Sequence, residues 1–296
     1  MKNSLITLAI CTTAFCTYAN QDTFLLIPPR GNPSRTICWS GFFANFLAVI
    51  AGLDMYEKNG YGGCGVEFPY GYYLAPAVGP NWWEYYFEPI NINPELRTKK
   101  TQLMNENMKV HGANSVISSM SRERAAELTK RYVHIKPHIQ QKIDDFIIHH
   151  FDGHFIIGIH YRGTDKHEEA PTVPYETFYQ KLTEIIEEHK FDDYRIFVAT
   201  DEAAFIDYIK TMVDTTKLCY TNAIRSPNSK PVHVDSGYDP YQLGEDALID
   251  CVLLSHCSVL IRNWSVLGST SANINPDLLV ISLNRPYMSK QVPNVR

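Results

Sequence analysis

Hydrophobic residues follow two different patterns along the chain, and the second half is the more regular. Residues 155–159 form a continuous apolar run that is too short for a helix, which is typical of a strand buried on both faces of a parallel sheet. Strand and helix patterns then alternate, and this alternation predicts a parallel sheet with helices on both faces. The predicted strands cover 154–160, 194–200, a short stretch near 218, 258–262 and 278–283, and the predicted helices cover 175–189, 202–212, 245–256 and a short stretch from 266.

The first half predicts a second α/β domain with less regular connections. A strand at 23–27 is followed by a glycine-containing turn and a helix that reaches about residue 58, which is how such a domain begins. Further helices are predicted at 122–131 and 137–150. We expect the domain boundary just after the last of these helices, so that the N-terminal domain covers 20–152 and the C-terminal domain covers 153–296.

The first 19 residues have the pattern of a targeting segment. Lys2 precedes an apolar run from Leu5 to about Tyr18, and small residues follow it. We therefore expect residues 1–19 to be a signal peptide or a membrane anchor, the alternative being a buried N-terminal strand or helix. A signal peptide would direct the protein into the endoplasmic reticulum or Golgi lumen of the secretory pathway, out of the cell, or, in a bacterium, into the periplasm.

Charge and cysteine content narrow the classes of function. The formal net charge of −5 argues against a broad nucleic-acid-binding surface but allows a local basic pocket. Removal of Cys11 and Cys16 with the leader leaves five of the seven cysteines, and an odd number does not form a complete disulfide framework. A single disulfide between Cys38 and Cys64 is compatible with an oxidising compartment. The sequence has no Cys-x-x-Cys pair, so it predicts no zinc knuckle.

Charged side chains follow the first buried strand of the second half. His160 ends the strand, and Arg162, Asp165 and Lys166 come directly after it. In open α/β sheets, ligands bind beyond the carboxyl ends of the strands. Arginine makes forked contacts with phosphate, and lysine supplies a point charge. The cluster therefore predicts an anionic ligand with a planar base, such as a nucleotide diphosphate.

Two further strand ends should meet this cluster at the same edge of the sheet. Asp201 follows the strand at 194–200, where it either caps the next helix or contacts the ligand. Asn263 and Ser265 follow the strand at 258–262 and precede a helix. Because a helix N-terminus carries free N–H groups and a partial positive charge, this third strand end favours a phosphate.

Two carboxylates lie on a helix that is otherwise apolar almost all round. Such a helix is buried, yet this one carries Asp246 and Asp250 four residues apart on one face. A buried carboxylate needs hydrogen-bond donors. They come either from the amide edge of a nucleobase or from backbone and arginine groups inside the fold, and the neighbouring motifs favour the nucleobase for Asp250.

An aromatic stretch in the first half suggests contacts with a sugar. Trp82, Trp83 and Tyr85 lie close together in a segment rich in aromatic residues. Aromatic faces stack on sugars, but they also pack loops against the body of a protein. We assign these three residues to an acceptor-binding site as a hypothesis.

The polar motifs together resemble those of the α1,6-fucosyltransferase and protein O-fucosyltransferase superfamily. The match is in kind, order and spacing, and it covers about residues 154–285. The family implies an α/β fold of the GT-B type, in which two Rossmann-like domains with parallel sheets face a cleft and the C-terminal domain binds GDP-fucose. The matching segments are His160-Tyr161-Arg162-Gly163-Thr164-Asp165-Lys166, Val198-Ala199-Thr200-Asp201-Glu202, Asp250 to Leu254, and Asn263-Trp264-Ser265.

The resemblance implies roles for individual residues. Arg162 is expected to clamp the diphosphate and to stabilise GDP as it leaves, with Lys166 near the donor. His160 and Asp250 are expected to read the guanine, and Ser265 is expected to touch a phosphate. The remaining candidates for nucleotide-sugar binding are Asp165, Asp201, Asp246 and Asn263.

The reaction implied by the resemblance moves fucose from GDP-fucose to a hydroxyl of a glycan or protein, with inversion and without a metal or other cofactor. The sequence has no Asp-x-Asp triplet to hold a divalent cation under the diphosphate. The leaving-group charge must then fall on arginine, lysine and helix N-termini. Glu168 and Glu169 lie close to the family's candidate base, which takes the proton from the acceptor hydroxyl.

One departure from the family supports an alternative function. The α1,6 members carry two adjacent arginines, and this chain has Gly163 at the second position. The alternative is a non-catalytic nucleotide-sugar or glycan-binding protein with the same fold. A hydrolase is disfavoured because the sequence contains no Gly-x-Ser-x-Gly elbow.

Overall fold

Each half of the chain builds its own β-sheet, and the division between the two units falls between Lys136 and Pro137. The two sheets confirm the expected α/β class. The computed structural model describes residues 20–30, 40–104, 120–164, 169–190, 193–228, 230–232 and 237–287.

The sheet of the first unit is centred on β1 (Phe24–Ile27) and β2 (Gly63–Val66), which pair in parallel. β3 (Asn91–Ile92) runs antiparallel to β2, and β4 (Thr101–Leu103) runs parallel to β1 on its other side. The predicted strand at 23–27 and the helices ending near 58 and at 131 are confirmed. The helices of this unit are α1 (Phe42–Lys58), α2 (Trp83–Tyr86) and α3 (Arg122–Tyr132), with a 3₁₀ helix at Pro94–Thr98.

The aromatic stretch packs the interior of the first unit. Trp82 and Trp83 are each 1% exposed, and Tyr85 is also buried. The indole N–H of Trp82 donates to the carbonyl of Tyr70 (2.9 Å), and the ring of Trp83 stacks on that of Phe87 with centroids 4.2 Å apart. Burial of such large rings stabilises the fold more than exposed stacking would, so these three residues present no ring face to a sugar. This corrects the expected acceptor contact of Trp82, Trp83 and Tyr85.

The sheet of the second unit is entirely parallel, as predicted from the alternating pattern. Its strand order is β7-β6-β5-β8-β9, which places β5 in the middle. The strands are β5 (Phe155–Tyr161), β6 (Tyr194–Thr200), β7 (Leu218–Cys219), β8 (Val259–Arg262) and β9 (Leu279–Ser282), and the helices are α4 (Pro137–His150), α5 (Tyr175–His189), α6 (Ala203–Met212), α7 (Pro240–Ser255) and α8 (Val266–Ile274).

The apolar run that defines β5 is buried on both faces of this sheet. Ile157 and Ile159 have no exposed surface. They belong to a core cluster to which α5 contributes Phe178, Leu182 and Ile185. The helix α7 begins five residues earlier than its apolar pattern suggests, because Asp239 caps it by accepting from the N–H of Tyr241 (3.1 Å) and proline occupies its first position.

The helix α4 belongs to the second unit, which corrects the expected boundary after residue 152. Lys142 forms an ion pair with the buried carboxylate of Glu245 on α7 (2.6 Å). The ring of Phe146 meets that of Phe197 on β6, with centroids 5.5 Å apart. The contacts of α4 with α7 and the sheet therefore place the boundary before α4. The amphipathic pattern of α4 does not show which unit its apolar face packs against.

The predicted leader, residues 1–19, lies outside the described residues. Within the part that the structure describes, no helix is both long and apolar enough to span a bilayer. Cys64 is a buried free thiol. Its suggested disulfide partner, Cys38, lies outside the described residues.

We expect the substitution Arg124→Met to destabilise the first unit by about 1–2 kcal/mol, because the buried carboxylate of Asp54 then keeps the exposed Lys58 (2.6 Å) as its ion-pair partner but loses a charged hydrogen-bond donor from α3. Arg124 joins α3 to α1 through Asp54 (3.0 Å), whose carboxylate is 3% exposed, and through Glu57 (2.5 Å). Denaturant unfolding followed by the fluorescence of the buried tryptophans measures the change. The control Arg122→Met alters an exposed residue on the same helix and should change stability by less than about 0.5 kcal/mol. Equal effects of the two substitutions would contradict the prediction.

Candidate functional site

Three strands of the second unit end at one edge of the sheet. In the parallel register, Tyr161 on β5 lies opposite Thr200 on β6, and His160 lies opposite Arg262 on β8. The residues that follow these strands therefore meet, as the sequence pattern predicts. This edge, formed by residues 160–164, 200–202 and 262–265, is the candidate site.

The carboxylate of Asp201 holds the loop that follows β5. Its Oδ2 accepts from Nη1 of Arg162 (2.7 Å) and from Oγ1 of Thr164 (2.6 Å), and its Oδ1 accepts from the backbone N–H of Gly163 (3.0 Å). The N-cap residue of α6 is Glu202. Asp201 therefore acts on the loop of Arg162 and is not the plain helix cap that we considered as an alternative.

Asn263 holds the backbone of Arg162 from the other side. Its Oδ1 accepts from the Arg162 N–H (2.9 Å), and its Nδ2 donates to the Arg162 carbonyl (2.7 Å). The side chain is 4% exposed. The Asn263-Trp264-Ser265 sequence has the form of a glycosylation sequon, but this amide is buried and both of its polar atoms are engaged.

Ser265 caps the helix that follows β8. Its Oγ accepts from the N–H of Leu267 (3.2 Å), so the side chain points into the first turn of α8. Nη1 of Arg262 donates to the carbonyl of Ser265 (3.2 Å) and to Oγ of Ser269 (2.8 Å). A helix N-terminus flanked by a guanidinium is an environment that favours an anion.

His160 lies beneath α8. The side chain is 3% exposed. A Cβ atom at Gly268 would come within 3.0 Å of both Nδ1 of His160 and Cδ of Arg262. The first turns of α8 thus pass directly over these two side chains, and the glycine permits that close approach.

Asp250 and Asp246 receive their donors from the loop that follows β7. Oγ1 of Thr221 donates to Asp250 (2.7 Å), and the N–H of Ile224 donates to Asp246 (2.8 Å). Burial raises the pKa of both carboxyls, that of Asp250 to about 7, against the opposing effects of these donors and of Arg225. Asp246 also borders a cavity of about 380 Å³ between α4, α7 and this loop. The protein itself thus satisfies both carboxylates, which is one of the two alternatives drawn from the sequence.

The backbone of the Arg162 loop passes closely over Glu202. A Cβ atom at Gly163 would fall on the Glu202 carboxylate and would lie 2.6 Å from the Tyr161 ring. Tyr175 on α5 donates to the same carboxylate (2.9 Å). Position 163 therefore has no room for a side chain while these groups stay where they are.

The remaining candidates lie on the segment that continues this loop. Asp165, Lys166 and Glu168 lie outside the described residues. Glu169 is exposed, and its carbonyl accepts from the N–H of Tyr287 (2.8 Å).

Glu202 and Arg262 at this edge, and Tyr175 beside it, were not among the candidate site residues of the sequence analysis. Glu202 ends one of the matching segments, but in sequence it has the appearance of an ordinary acidic residue at a helix start. Tyr175 begins α5, more than ten residues after Arg162 in the sequence, so only the tertiary fold brings it to the site. Arg262, a cation at the end of a buried strand, is the one that the pattern could have indicated.

Comparison with known proteins gives consistent results for sequence and fold. The family model for Nodulation protein Z (NodZ) matches residues 80–281. No curated protein matches the chain significantly.

Solved structures share the fold at low sequence identity, which confirms the expected two-domain class of the GT-B type. NodZ α1,6-fucosyltransferase co-crystallised with GDP aligns with a TM-score of 0.59 and 16% identity, over 88% of this chain and 94% of that one. The same enzyme soaked with GDP-fucose gives 0.54 and 16%, over 86% and 92%. Fucosyltransferase NodZ from Bradyrhizobium gives 0.58 and 16%, over 88% and 95%.

We expect Asp250→Asn to make the protein more stable relative to wild type as pH rises. The folded-state pKa of Asp250, about 7, lies above the value near 3.9 of an unfolded aspartate, so the folded state binds the extra proton between these values and wild-type stability falls as pH rises through that window. Between pH 5 and pH 8.5, the melting temperature of the variant minus that of wild type should increase by about 5 °C or more. Asp207→Asn, which alters an exposed aspartate, is the control and should show no such trend. A pH-independent difference for Asp250→Asn would contradict the prediction.

Proposed function

The chain belongs to the NodZ family of glycosyltransferases, and from that premise we propose that it transfers fucose from GDP-fucose to a hydroxyl of a glycan or protein. The observation that carries the proposal is the placement of Arg162, which Asp201 and Asn263 hold where β5, β6 and β8 end together. A guanidinium fixed in this way can bind a diphosphate through two parallel N–H bonds. The solved NodZ structures with GDP and GDP-fucose support this class of donor.

The diphosphate binds between Arg162 and the start of α8. Arg162 supplies the forked contact, and the first turn of α8, which Ser265 caps, supplies partial positive charge. Both elements are fixed before the donor arrives, so their charge is preorganised for the negative charge that develops on GDP as the bond to fucose breaks. Lys166 adds a further positive charge near the donor.

The guanine binds near Asp250 and His160. An ionised Asp250 accepts from the N–H edge of the base, which offers the donors that a buried carboxylate needs. Thr221, which donates to Asp250 in the unliganded protein, lies on the loop that would border the base. Asp246 and Asp165 complete the proposed donor site, the former by holding the same loop through Ile224.

The chemical step is an inverting displacement without a metal. The acceptor hydroxyl attacks the anomeric carbon from the face opposite GDP, and Glu168 or Glu169 takes its proton. The absence of an Asp-x-Asp triplet from the sequence supports a metal-independent reaction, in which Arg162, Lys166 and the α8 N-terminus take the leaving-group charge.

Residues 1–19 would place this reaction in the secretory pathway, outside the cell or in a periplasm. A non-catalytic nucleotide-sugar or glycan-binding protein is the second candidate function. It is favoured by Gly163, which stands where the α1,6 members have a second arginine. Binding of the donor without turnover would identify that function.

We expect Arg162→Ala to lower the rate of fucose transfer about a hundred- to a thousandfold, because it removes a preorganised donor for the leaving diphosphate. Arg162→Lys keeps the charge but loses the fork, and its rate should lie between the two. Release of GDP from GDP-fucose measures turnover. Lys181→Ala, which removes a cation from the surface of α5, is the control and should behave as wild type. Turnover near the wild-type rate in Arg162→Ala would exclude the proposed role.

We expect the mature protein to bind GDP and GDP-fucose, but not UDP, with affinities unchanged by a chelator. Calorimetric titration of each nucleotide with and without EDTA measures this. Loss of GDP binding in EDTA, restored by a divalent cation, would overturn the metal-independent mechanism. Failure to bind any guanine nucleotide would overturn the donor assignment itself.

A further inference from the structure

The loop that carries Arg162 is bounded on its inner side by Glu202. This residue is 6% exposed. Backbone hydrogen bonds on either side of it fix its place: Ser226 N–H donates to the Asp201 carbonyl (2.8 Å), and Ala203 N–H donates to the Ser226 carbonyl (3.0 Å). The backbone of Glu202 is therefore held in a fixed position beside the end of β5.

Two tyrosines hold the Glu202 carboxylate in this place. Tyr175 donates to its Oε2 (2.9 Å), and the ring of Tyr161 meets that of Tyr175 edge to face with centroids 5.0 Å apart. Burial raises the pKa of both tyrosines most, and the neighbouring Glu202 raises it further, so both hydroxyls keep their protons. A buried carboxylate with such neighbours has its donors and a defined position.

Gly163 is where the loop meets this carboxylate. Its N–H donates to Asp201 (3.0 Å), while the space where a side chain would begin is taken by the Glu202 carboxylate, with Cδ of Glu202 3.0 Å away. The loop thus donates hydrogen bonds to Asp201 and packs against the Glu202 carboxylate at Gly163.

We propose that Glu202 is a positioning residue for Arg162: its side chain supports the loop at Gly163 and so sets where the Arg162 guanidinium lies. This rests on the proposed function of Arg162 as the diphosphate clamp. Asp201 and Asn263 hold the loop through hydrogen bonds, whereas Glu202 occupies the space next to Gly163 Cα that the loop would otherwise be free to enter. Removal of Glu202 would leave a buried space that the loop can enter, and Arg162 would then move away from the phosphate position.

The proposal also gives a physical reason for glycine at 163. A second arginine there would have to displace either the Glu202 carboxylate or the Tyr161 ring, which stacks on Phe205 with centroids 4.4 Å apart. Positions 163 and 202 are therefore coupled: a larger residue at 163 requires a change at 202.

A stability cycle tests the positioning role without any ligand. Arg162→Met is introduced into wild type and into Glu202→Ala, and the melting temperature of all four proteins is measured. Arg162→Met should lower the melting temperature by about 4 °C in wild type, where Arg162 pairs with Asp201, and by less than about 1 °C in the Glu202→Ala background. Equal losses in the two backgrounds would show that Glu202 does not position Arg162, and would overturn the proposal.

GDP titration then tests the consequence for the donor. Glu202→Gln keeps the length of the side chain and an acceptor for Tyr175, so GDP affinity should stay within about threefold of wild type. Glu202→Ala and Gly163→Ala should each weaken GDP binding at least about tenfold, and Gly163→Ala should cause little further loss when it is added to Glu202→Ala. Leu182→Ala, a core substitution on α5, is the control: it should lower the melting temperature and leave GDP affinity unchanged.

The outcomes separate this proposal from the proposed function. Coupling in the stability cycle without GDP binding by the wild type would keep the positioning role and refute the donor assignment. GDP binding by the wild type with independent effects of Glu202→Ala and Gly163→Ala would keep the donor assignment and refute the positioning role. If Glu202→Ala does not fold, Gly163→Ala is introduced into wild type and into Glu202→Gln, and GDP affinity is measured in each. An affinity unchanged by Gly163→Ala in both backgrounds would overturn the proposal.

Discussion

The candidate site at the edge of the second sheet depends on the carboxylate of Asp201. The segment after β5, residues 162–164, is a short loop without regular secondary structure, so side-chain hydrogen bonds from the neighbouring strand ends fix its conformation. The carboxylate accepts from three consecutive residues, Arg162, Gly163 and Thr164, and so ties that loop to the end of β6. Asn263 holds the Arg162 backbone, and Asp201 holds the Arg162 guanidinium and the two residues that follow, so the position of Arg162 depends on both side chains.

The strands and helices of the second unit follow from hydrophobic periodicity, and the meeting of the three motifs follows from parallel topology. Once β5, β6 and β8 are recognised as parallel, the residues after them must share an edge, so Arg162, Asp201 and Asn263 were predictable as neighbours. Their hydrogen bonds were not. Asp201 fits either a helix cap or a ligand in sequence, and only the fold shows that it holds the loop.

Other features of the structure could not be predicted, because they arise from contacts between residues that are distant in the sequence. Trp82 and Trp83 have the composition of a sugar-binding surface, but composition does not say which way a ring faces, and in this fold they are buried. The amphipathic pattern of α4 is satisfied by packing on either unit, so the domain boundary was misplaced. Glu202 and Tyr175 are far apart in sequence, and each is unremarkable alone; the close approach at Gly163 is what makes them matter.

The side chain of Asn263 affects where the pairing between β5 and β8 ends. Its amide donates to and accepts from the Arg162 backbone as a neighbouring strand would, so it serves as one more rung of the β5–β8 ladder after the β8 backbone has turned away. The chain can therefore leave β8 after Arg262 and begin α8 at Val266, while the pairing on β5 continues two residues beyond His160, to Arg162. A short carboxamide donates and accepts through two separate atoms at this reach, whereas aspartate lacks the donor and glutamine is a methylene longer. One side chain thus allows β5 to stay paired beyond the point at which the β8 backbone turns away toward α8.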